Sequence, residues 1–221
     1  MKKILLGISA ALAFIGSVNA QDVHFTQYFT SPLTLNPAMT GLVSDDLRFS
    51  ANYRSQWQSV SPNPYITGTF SYDMAILKGK LPMGDAMGIG LIGLYDKAGT
   101  GGLTNTTFGL SLAYHKAFGY DRQQHISMGA QAMYVSKTID FAKLTFEDMY
   151  DKGTGLINPS LGTADNNHTP SVSYMDANAG IMYSGKVTEH VTLYAGYSYY
   201  HLTQPVESFL KDYNHTIHSR H

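Results

Sequence analysis

Residues 21–57 read QDVHFTQYFTSPLTLNPAMTGLVSDDLRFSANYRSQW, and the last part of this stretch establishes the fold class. Apolar and polar side chains alternate through residues 47–57. One side carries Leu47, Phe49, Ala51, Tyr53 and Trp57, and the other carries Arg48, Ser50, Asn52, Arg54 and Gln56. A period of two is the pattern of a β-strand with one apolar and one polar face. Residues 21–41 are instead aromatic and turn-rich, without a clean period.

The same alternation recurs along the rest of the chain and predicts further strands. They cover residues 65–74, 87–95, 103–116, 125–137, 173–184 and 191–200, with the opening of an eighth strand at 216–221. Residues 139–170 and 201–212 lack the period, so they predict long loops, the first with a short helical turn near residues 146–150. Strands of about ten residues have the length of a tilted bilayer crossing.

Composition indicates what surrounds these strands. Only 14% of the 221 residues are charged and the formal net charge is −1, whereas soluble proteins carry about 25% charged residues. Tyrosines recur near strand ends, as in an interfacial girdle. We therefore predict an all-β chain forming an antiparallel outer-membrane β-barrel. The alternative is a soluble β-sandwich whose apolar faces pack together.

Charge and cysteine content also exclude several classes of function. The near-neutral balance gives no electrostatic reason to expect nucleic acid. The absence of cysteine rules out disulfides and zinc–thiolate sites. Gly88, Gly90 and Gly93 match a dinucleotide-binding pattern, but they lie within a strand, where small residues on a crowded inner face explain them better. We predict no catalytic, cofactor-binding or metal site.

The chain divides into three parts. Residues 1–20 read as a secretory signal peptide, because Lys2 and Lys3 precede a short apolar run, and cleavage is expected after Ala20. Residues 21–46 form an N-terminal segment that is a candidate internal plug. Residues 47–221 form a partial barrel of about seven strands plus a stub.

Polar side chains on the first strand form the candidate site. Arg48, Asn52, Arg54 and Gln56 share one face. Inside a barrel they could pair with the inner-face acids Asp73 or Asp176, or hold residues 21–41 as a plug; the alternative is a solvated strand face. Because unpaired charge in a narrow interior is costly, we predict a structural ion-pair network.

Several runs carry a family resemblance. They are Phe25-Thr26-Gln27-Tyr28, Leu35-Asn36-Pro37-Ala38-Met39-Thr40-Gly41, Asn52-Tyr53-Arg54-Ser55-Gln56-Trp57, Ser71-Tyr72-Asp73, Gly88-Ile89-Gly90 and Asp176-Ala177-Asn178-Ala179-Gly180. In this order they resemble the PorP/SprF family of outer-membrane proteins, which belong to the type IX secretion system and its gliding-motility branch. The motif residues are Asn36, Pro37, Gly41, Tyr53, Arg54, Gln56 and Trp57.

The resemblance implies a membrane β-barrel without enzyme activity or cofactor. Its partners would be membrane lipid, secretion-machine subunits and exported or surface-anchored cargo proteins, which would dock on the loops at residues 139–170 and 201–212. Relatives continue beyond residues 216–221, so the resemblance also implies a chain truncated at its C-terminus. The rival functions are a passive outer-membrane channel for small solutes and a soluble periplasmic β-sandwich binding module.

Overall fold

The computed structural model describes most of the chain. It covers residues 30–43, 46–77, 79–82, 84–120, 122–163, 168–188, 191–210 and 216–221. The predicted signal peptide at residues 1–20, its cleavage site, and residues 21–29 of the N-terminal segment lie outside the described residues. In the part of the chain that is described, no helix has the length and apolar character needed to cross a membrane.

One antiparallel sheet of seven strands dominates the structure. In chain order the strands are β1 (Leu47–Gln56), β2 (Tyr65–Ile76), β3 (Ala86–Ala98), β4 (Leu103–Phe118), β5 (Gln124–Thr138), β6 (Tyr150–Asp151), β7 (Leu156–Ile157), β8 (Ser171–Thr188) and β9 (Val191–Tyr199). The short strands β6 and β7 form a separate ribbon, and the others pair as β1-β2-β3-β4-β5-β8-β9. The predicted all-β class and the seven predicted strands are confirmed.

The alternation along each strand separates two kinds of surface. The apolar side chains point to the outer face, where Phe49 is 65% exposed and Met175 is 64% exposed. The polar side chains of the opposite face are buried, among them Thr67, Asp73 and Ser127. A β-sandwich would cover the apolar face with a second sheet. The described residues form no such layer, so the sandwich alternative is wrong for this part of the chain.

Residues 31–42, which we call the inner segment, explain why the polar face is buried. This segment contains α1 (Pro32–Leu35) and a 3₁₀ turn at Pro37–Met39. Its Asn36 side chain donates to carbonyls of β8 and β9, and its Gly41 amide donates to Asp73 of β2. In a flat sheet β2 and β9 would lie about 24 Å apart, whereas the path from Asn36 to Gly41 through a 3₁₀ turn covers only about 12 Å. The sheet must therefore curl around the segment, as a half-barrel.

Tyrosines bracket the apolar face of the central strands. Tyr95 pairs with Thr106, and Tyr114 lies further along the same strand β4. The eight residue steps from Thr106 to Tyr114 cover about 27 Å at about 3.4 Å per step, or about 21 Å along the axis of a barrel with the usual strand tilt of about 40°. Both tyrosines lie on the exposed apolar face. Their spacing is close to the apolar band of about 25 Å in transmembrane barrels.

The two longest connections lie at the same end of the sheet. Residues 139–170 leave β5 and residues 200–210 leave β9 at this end, which also has the connections at residues 57–64 and 99–102. The opposite end, which we call the short-turn end, has the connections at residues 77–85 and 119–123. The predicted helical turn is confirmed as a 3₁₀ turn at Glu147–Met149. The predicted eighth strand is wrong. Residues 216–221 form isolated bridges instead, Val206 with Thr216 and Tyr200 with Arg220, and the two bridges differ in register by two residues, so they do not join into a ladder.

The short-turn end is held by the carboxylate of Asp85, which precedes β3. It accepts hydrogen bonds from Lys116 Nζ at 2.8 Å, from the Tyr114 hydroxyl at 2.6 Å and from the Ala117 amide at 3.0 Å. The hydrogen bond from Lys116, followed by that from Tyr114, lowers the pKa of Asp85 to about 2. A carboxylate whose folded-state pKa is depressed stabilises the fold above its unfolded pKa and loses this effect as pH falls.

Replacing Asp85 with asparagine should therefore have a pH-dependent effect. We expect Asp85→Asn to be less stable than the wild type at neutral pH, with the difference shrinking as the pH falls from about 4 to about 2. The measurement is the unfolding midpoint of both proteins as a function of pH, with the folded fraction detected by heat-modifiable gel mobility. A difference that stays constant down to pH 2 would show that the charge of Asp85 has no part in stability.

Candidate functional site

The Asn-Pro-Ala-Met-Thr-Gly run of the inner segment makes a tight turn against the sheet. Pro37 occupies the first position of the 3₁₀ turn, where its fixed φ is favourable and no amide donor is needed. The side chain of Asn36 caps this turn, since its Oδ1 accepts from the Ala38 amide at 2.8 Å. Its Nδ2 donates to the carbonyls of Ile181 and Tyr197, each at 3.3 Å. One amide side chain thus shapes the turn and ties it to β8 and β9.

Glycines on the inner face make room for this turn. A Cβ atom at Gly88 would overlap the Thr40 carbonyl, and one at Gly129 would overlap the Pro37 carbonyl. The prediction of a crowded inner face is confirmed for Gly88. Its neighbour Gly93 lies on the outer face instead, where a Cβ would meet the ring of Phe70.

Arg48 and Asp73 join the first two strands to the inner segment. Arg48 donates from Nε to Asp73 Oδ1 at 3.0 Å and from Nη2 to Oδ2 at 2.8 Å. Arg48 Nη2 also donates to the Met39 carbonyl at 3.0 Å, and the Gly41 amide donates to Asp73 Oδ2 at 2.7 Å. The Asp73 side chain is fully buried. The two roles considered for Arg48, pairing with an acid and holding the N-terminal segment, therefore coincide in one cluster.

The other polar residues of β1 lie outside this cluster. Asn52 Nδ2 donates to the Thr30 carbonyl at 3.2 Å, and Arg54 Nη2 donates to Thr67 Oγ1 at 3.3 Å. Gln56 is exposed at the end of β1. Asp176 lies across the sheet on β8 and is not brought to the β1 residues.

The motif residues are distributed over both surfaces. Asn36, Pro37 and Gly41 are buried in the inner segment, whereas Tyr53 and Trp57 belong to the exposed surface of β1 and the turn after it.

Three further inner-face side chains, Ser111, His115 and Gln131, contact the inner segment, and sequence reasoning did not single them out. Ser111 Oγ lies 2.5 Å from Thr40 Oγ1, and His115 Nε2 lies 2.8 Å from the Thr40 carbonyl. The other ring nitrogen of His115 lies 2.7 Å from Ser127 Oγ, and Gln131 Nε2 donates to the Leu33 carbonyl at 2.8 Å. Their polar positions in apolar–polar alternation were visible in the sequence, but their shared partner was not.

A second cluster holds residues 200–210 against the ends of β5 and β8. His201 Nδ1 lies 2.6 Å from Asp176 Oδ2, and Thr203 Oγ1 donates to Asp176 Oδ1 at 2.7 Å. Lys137 Nζ and the Tyr174 hydroxyl both donate to the Glu207 carboxylate, at 2.6–2.8 Å. A cavity of about 100 Å³ lies between these residues and the inner segment.

The two long loops are joined to each other at this end of the sheet. The Thr169 amide donates to the Phe209 carbonyl at 2.7 Å, and His168 forms a bridge with Leu210. The rings of Phe141 and His168 stack with their centroids 3.8 Å apart. We call residues 139–163, 168–170 and 200–210 together the loop platform. Its exposed apolar side chains include Tyr150, Leu156, Ile157, Leu161, Leu202, Val206 and Leu210.

The described residues contain no cluster of three or more histidine or acidic side chains arranged to hold a metal ion.

Comparison with known proteins places the chain in a family without giving an individual relative. No curated protein and no solved structure matches it. A family model described as "Type IX secretion system membrane protein PorP/SprF" matches residues 17–221, which is nearly the whole chain. The chain therefore belongs to the PorP/SprF family of type IX secretion system membrane proteins.

Proposed function

We propose that this protein is an outer-membrane component of the type IX secretion and gliding-motility machinery that assists export or surface anchoring of partner proteins. A cargo domain or a machine subunit docks on the loop platform. The observation that carries this proposal is that the loop platform joins parts of two long loops into one surface at one end of the sheet. A rigid scaffold that presents long loops is a common way to build a binding surface.

The chemistry of the loop platform suits a protein partner. Leu156 is 69% exposed and Leu161 is 57% exposed, although both are apolar. Charged residues accompany them on the same loop, including Glu147, Asp148 and Lys152. An apolar centre with a polar rim is the usual composition of a protein–protein interface.

The position of the loop platform supports the same proposal. Transmembrane barrels place short turns in the periplasm and longer loops outside the cell. By that rule the loop platform faces the exterior, where exported proteins emerge. The exposed apolar side chains of the outer face, bracketed by tyrosines, would contact the lipid of the outer membrane.

Deleting residues 154–169 should abolish display of cargo at the cell surface while leaving the barrel in the outer membrane. This deletion also removes His168 and Thr169, which tie the two loops together. A sharper variant is the double substitution Leu156→Asp and Leu161→Asp, which leaves those ties in place. We expect it to reduce surface cargo by about tenfold or more, as for a central interface residue. The measurement is cell-surface labelling of exported proteins.

Val60→Asp is the matched control. Val60 lies in another connection at the same end of the sheet and is 73% exposed, but it is outside the loop platform. We expect Val60→Asp to leave cargo display unchanged. Normal display in the Leu156 and Leu161 double variant, at a wild-type amount of folded barrel, would contradict the role of the loop platform.

A further inference from the structure

We infer that the inner segment is a permanent plug, and that neither cargo nor solutes pass through the interior of this barrel. The inference deepens the proposed function, on which it rests, because it makes the protein a docking scaffold at the membrane and not a conduit. It also separates the protein from the passive channel considered above.

The inner segment packs closely against the inner face of the sheet. Leu33, Ala38 and Thr40 of the segment are completely buried. The backbone of the segment approaches Gly88 and Gly129 so closely that neither position has room for a Cβ atom. Hydrogen bonds between the segment and the sheet extend from β2 to β9. The segment therefore fills the described part of the interior at this level, apart from the cavity of about 100 Å³ beside Thr34.

Departure of the segment would strand buried polar groups on several strands. Asp73, Ser111, His115 and Gln131 all direct polar atoms at backbone or side-chain atoms of the segment. Asn36 satisfies carbonyls on β8 and β9 in return. A buried polar group that loses its partner pays the full cost of desolvation. A segment that had to leave in every transport cycle would break all of these contacts together.

Both ends of the segment are anchored as well. At its start, Thr30 Oγ1 donates to Asn52 Oδ1 at 2.8 Å. At its end, the Met39 carbonyl and the Gly41 amide are held by the pair formed by Arg48 and Asp73. Movement as a hinged lid would need at least one end to be free. These anchors favour a static filling of the interior.

A disulfide lock tests whether the segment has to move. The chain has no cysteine, so the variant Thr40→Cys with Ser111→Cys carries only the introduced pair. The two side-chain oxygens lie 2.5 Å apart and each is one bond from its Cβ atom, so small adjustments bring the Cβ atoms to the spacing of a disulfide. We expect the cross-link to form on oxidation, as detected by mass spectrometry of the linked peptides. We also expect surface display of cargo to stay within about twofold of the reduced protein, since the constrained segment is already in its working position.

Two results would overturn the inference. One is loss of cargo display in the oxidised variant with full display after reduction, because the segment would then have to leave its seat. The other is failure of the cross-link to form in folded protein, because the segment would then lie elsewhere. The single variants Thr40→Cys and Ser111→Cys, treated with the same oxidant, control for damage by the reagent.

A second readout does not depend on cargo. A membrane-impermeant maleimide applied to intact cells should label Val60→Cys, which is exposed, and leave Thr40→Cys unlabelled during active secretion. Labelling of Thr40→Cys at a rate comparable with Val60→Cys would contradict the plug even if the loop platform had no role in export. If the loop variants leave display unchanged while Thr40→Cys stays protected, the docking proposal fails and the plug stands.

Discussion

Replacing Gly88 or Gly129 with valine should prevent most of the protein from reaching its folded form. Valine is a better strand former than glycine, so local propensity alone would make either change favourable. The inner segment reverses this expectation, because the new side chain would occupy the space of the Thr40 carbonyl at one site and of the Pro37 carbonyl at the other. Overpacking against side chains costs about 1–3 kcal/mol. We expect a larger loss here, because the obstacle is backbone.

The measurement is the fraction of heat-modifiable, folded protein in the outer membrane. Gly68→Val is the matched control, because Gly68 also lies within a strand but has only the Asn52 carbonyl near its Cβ position, at 3.9 Å. We expect this control to be neutral or stabilising. Normal folding of both Gly88→Val and Gly129→Val would show that the inner segment does not occupy its described seat.

Asp73→Asn should be the most destabilising substitution of a polar residue on the inner face. The substitution keeps the shape of the side chain at Asp73, which is fully buried, but it removes the carboxylate that compensates the charge of Arg48. Removing one member of a buried pair costs about 3–5 kcal/mol, because the remaining charge is uncompensated. Because Arg48 is 25% exposed, we expect a value near the lower end, about 3 kcal/mol. Urea unfolding followed by the fluorescence of Trp57, the single tryptophan, gives this value.

The double variant Arg48→Met with Asp73→Asn separates charge from packing. It leaves no uncompensated charge, so it should recover part of the stability that either single variant loses. Strict additivity of the two single effects would contradict the coupling of Arg48 with Asp73.

Charge reversal at Arg54 provides a comparison on the same strand face. Arg54 donates to Thr67, whose hydroxyl donates to Asp96 at 2.6 Å, and the side chain of Arg54 is only half-buried. We expect Arg54→Glu to reduce stability, but by less than Asp73→Asn. If the Arg54→Glu variant folds normally and still supports surface export, Arg54 has no part in the structural network.

The strands and their faces were predictable because their signal is local. Alternation in residues 47–57 and 103–116 needs no knowledge of distant residues, and both strands are observed with the predicted apolar face exposed. The prediction failed where alternation was present but pairing was not, at residues 216–221. These residues bridge to Tyr200 and Val206 at single positions, and the shift in register between the two bridges could not be read from their own sequence.

The candidate site was predictable only in part. Asp73 and Asp176 are both acids on inner-face positions, and nothing in their local sequence distinguishes them. Asp73 meets Arg48 because β1 and β2 are adjacent and place the two residues directly opposite each other. Asp176 lies on β8, several strands away, and meets His201 instead. Strand order and register, and not composition, select the partner.

Alternation and the low charge content were enough to establish the all-β class, the strand positions and the side of each strand that is apolar, because each depends on neighbours in the chain. The curl of the sheet was needed to establish what the polar side contacts. It brings β2 and β9 within reach of one short turn, so residues such as Asn36, Ser111 and Gln131 meet although long stretches of chain separate them. Burial of the inner segment depends on that curvature, and curvature is a property of the whole sheet.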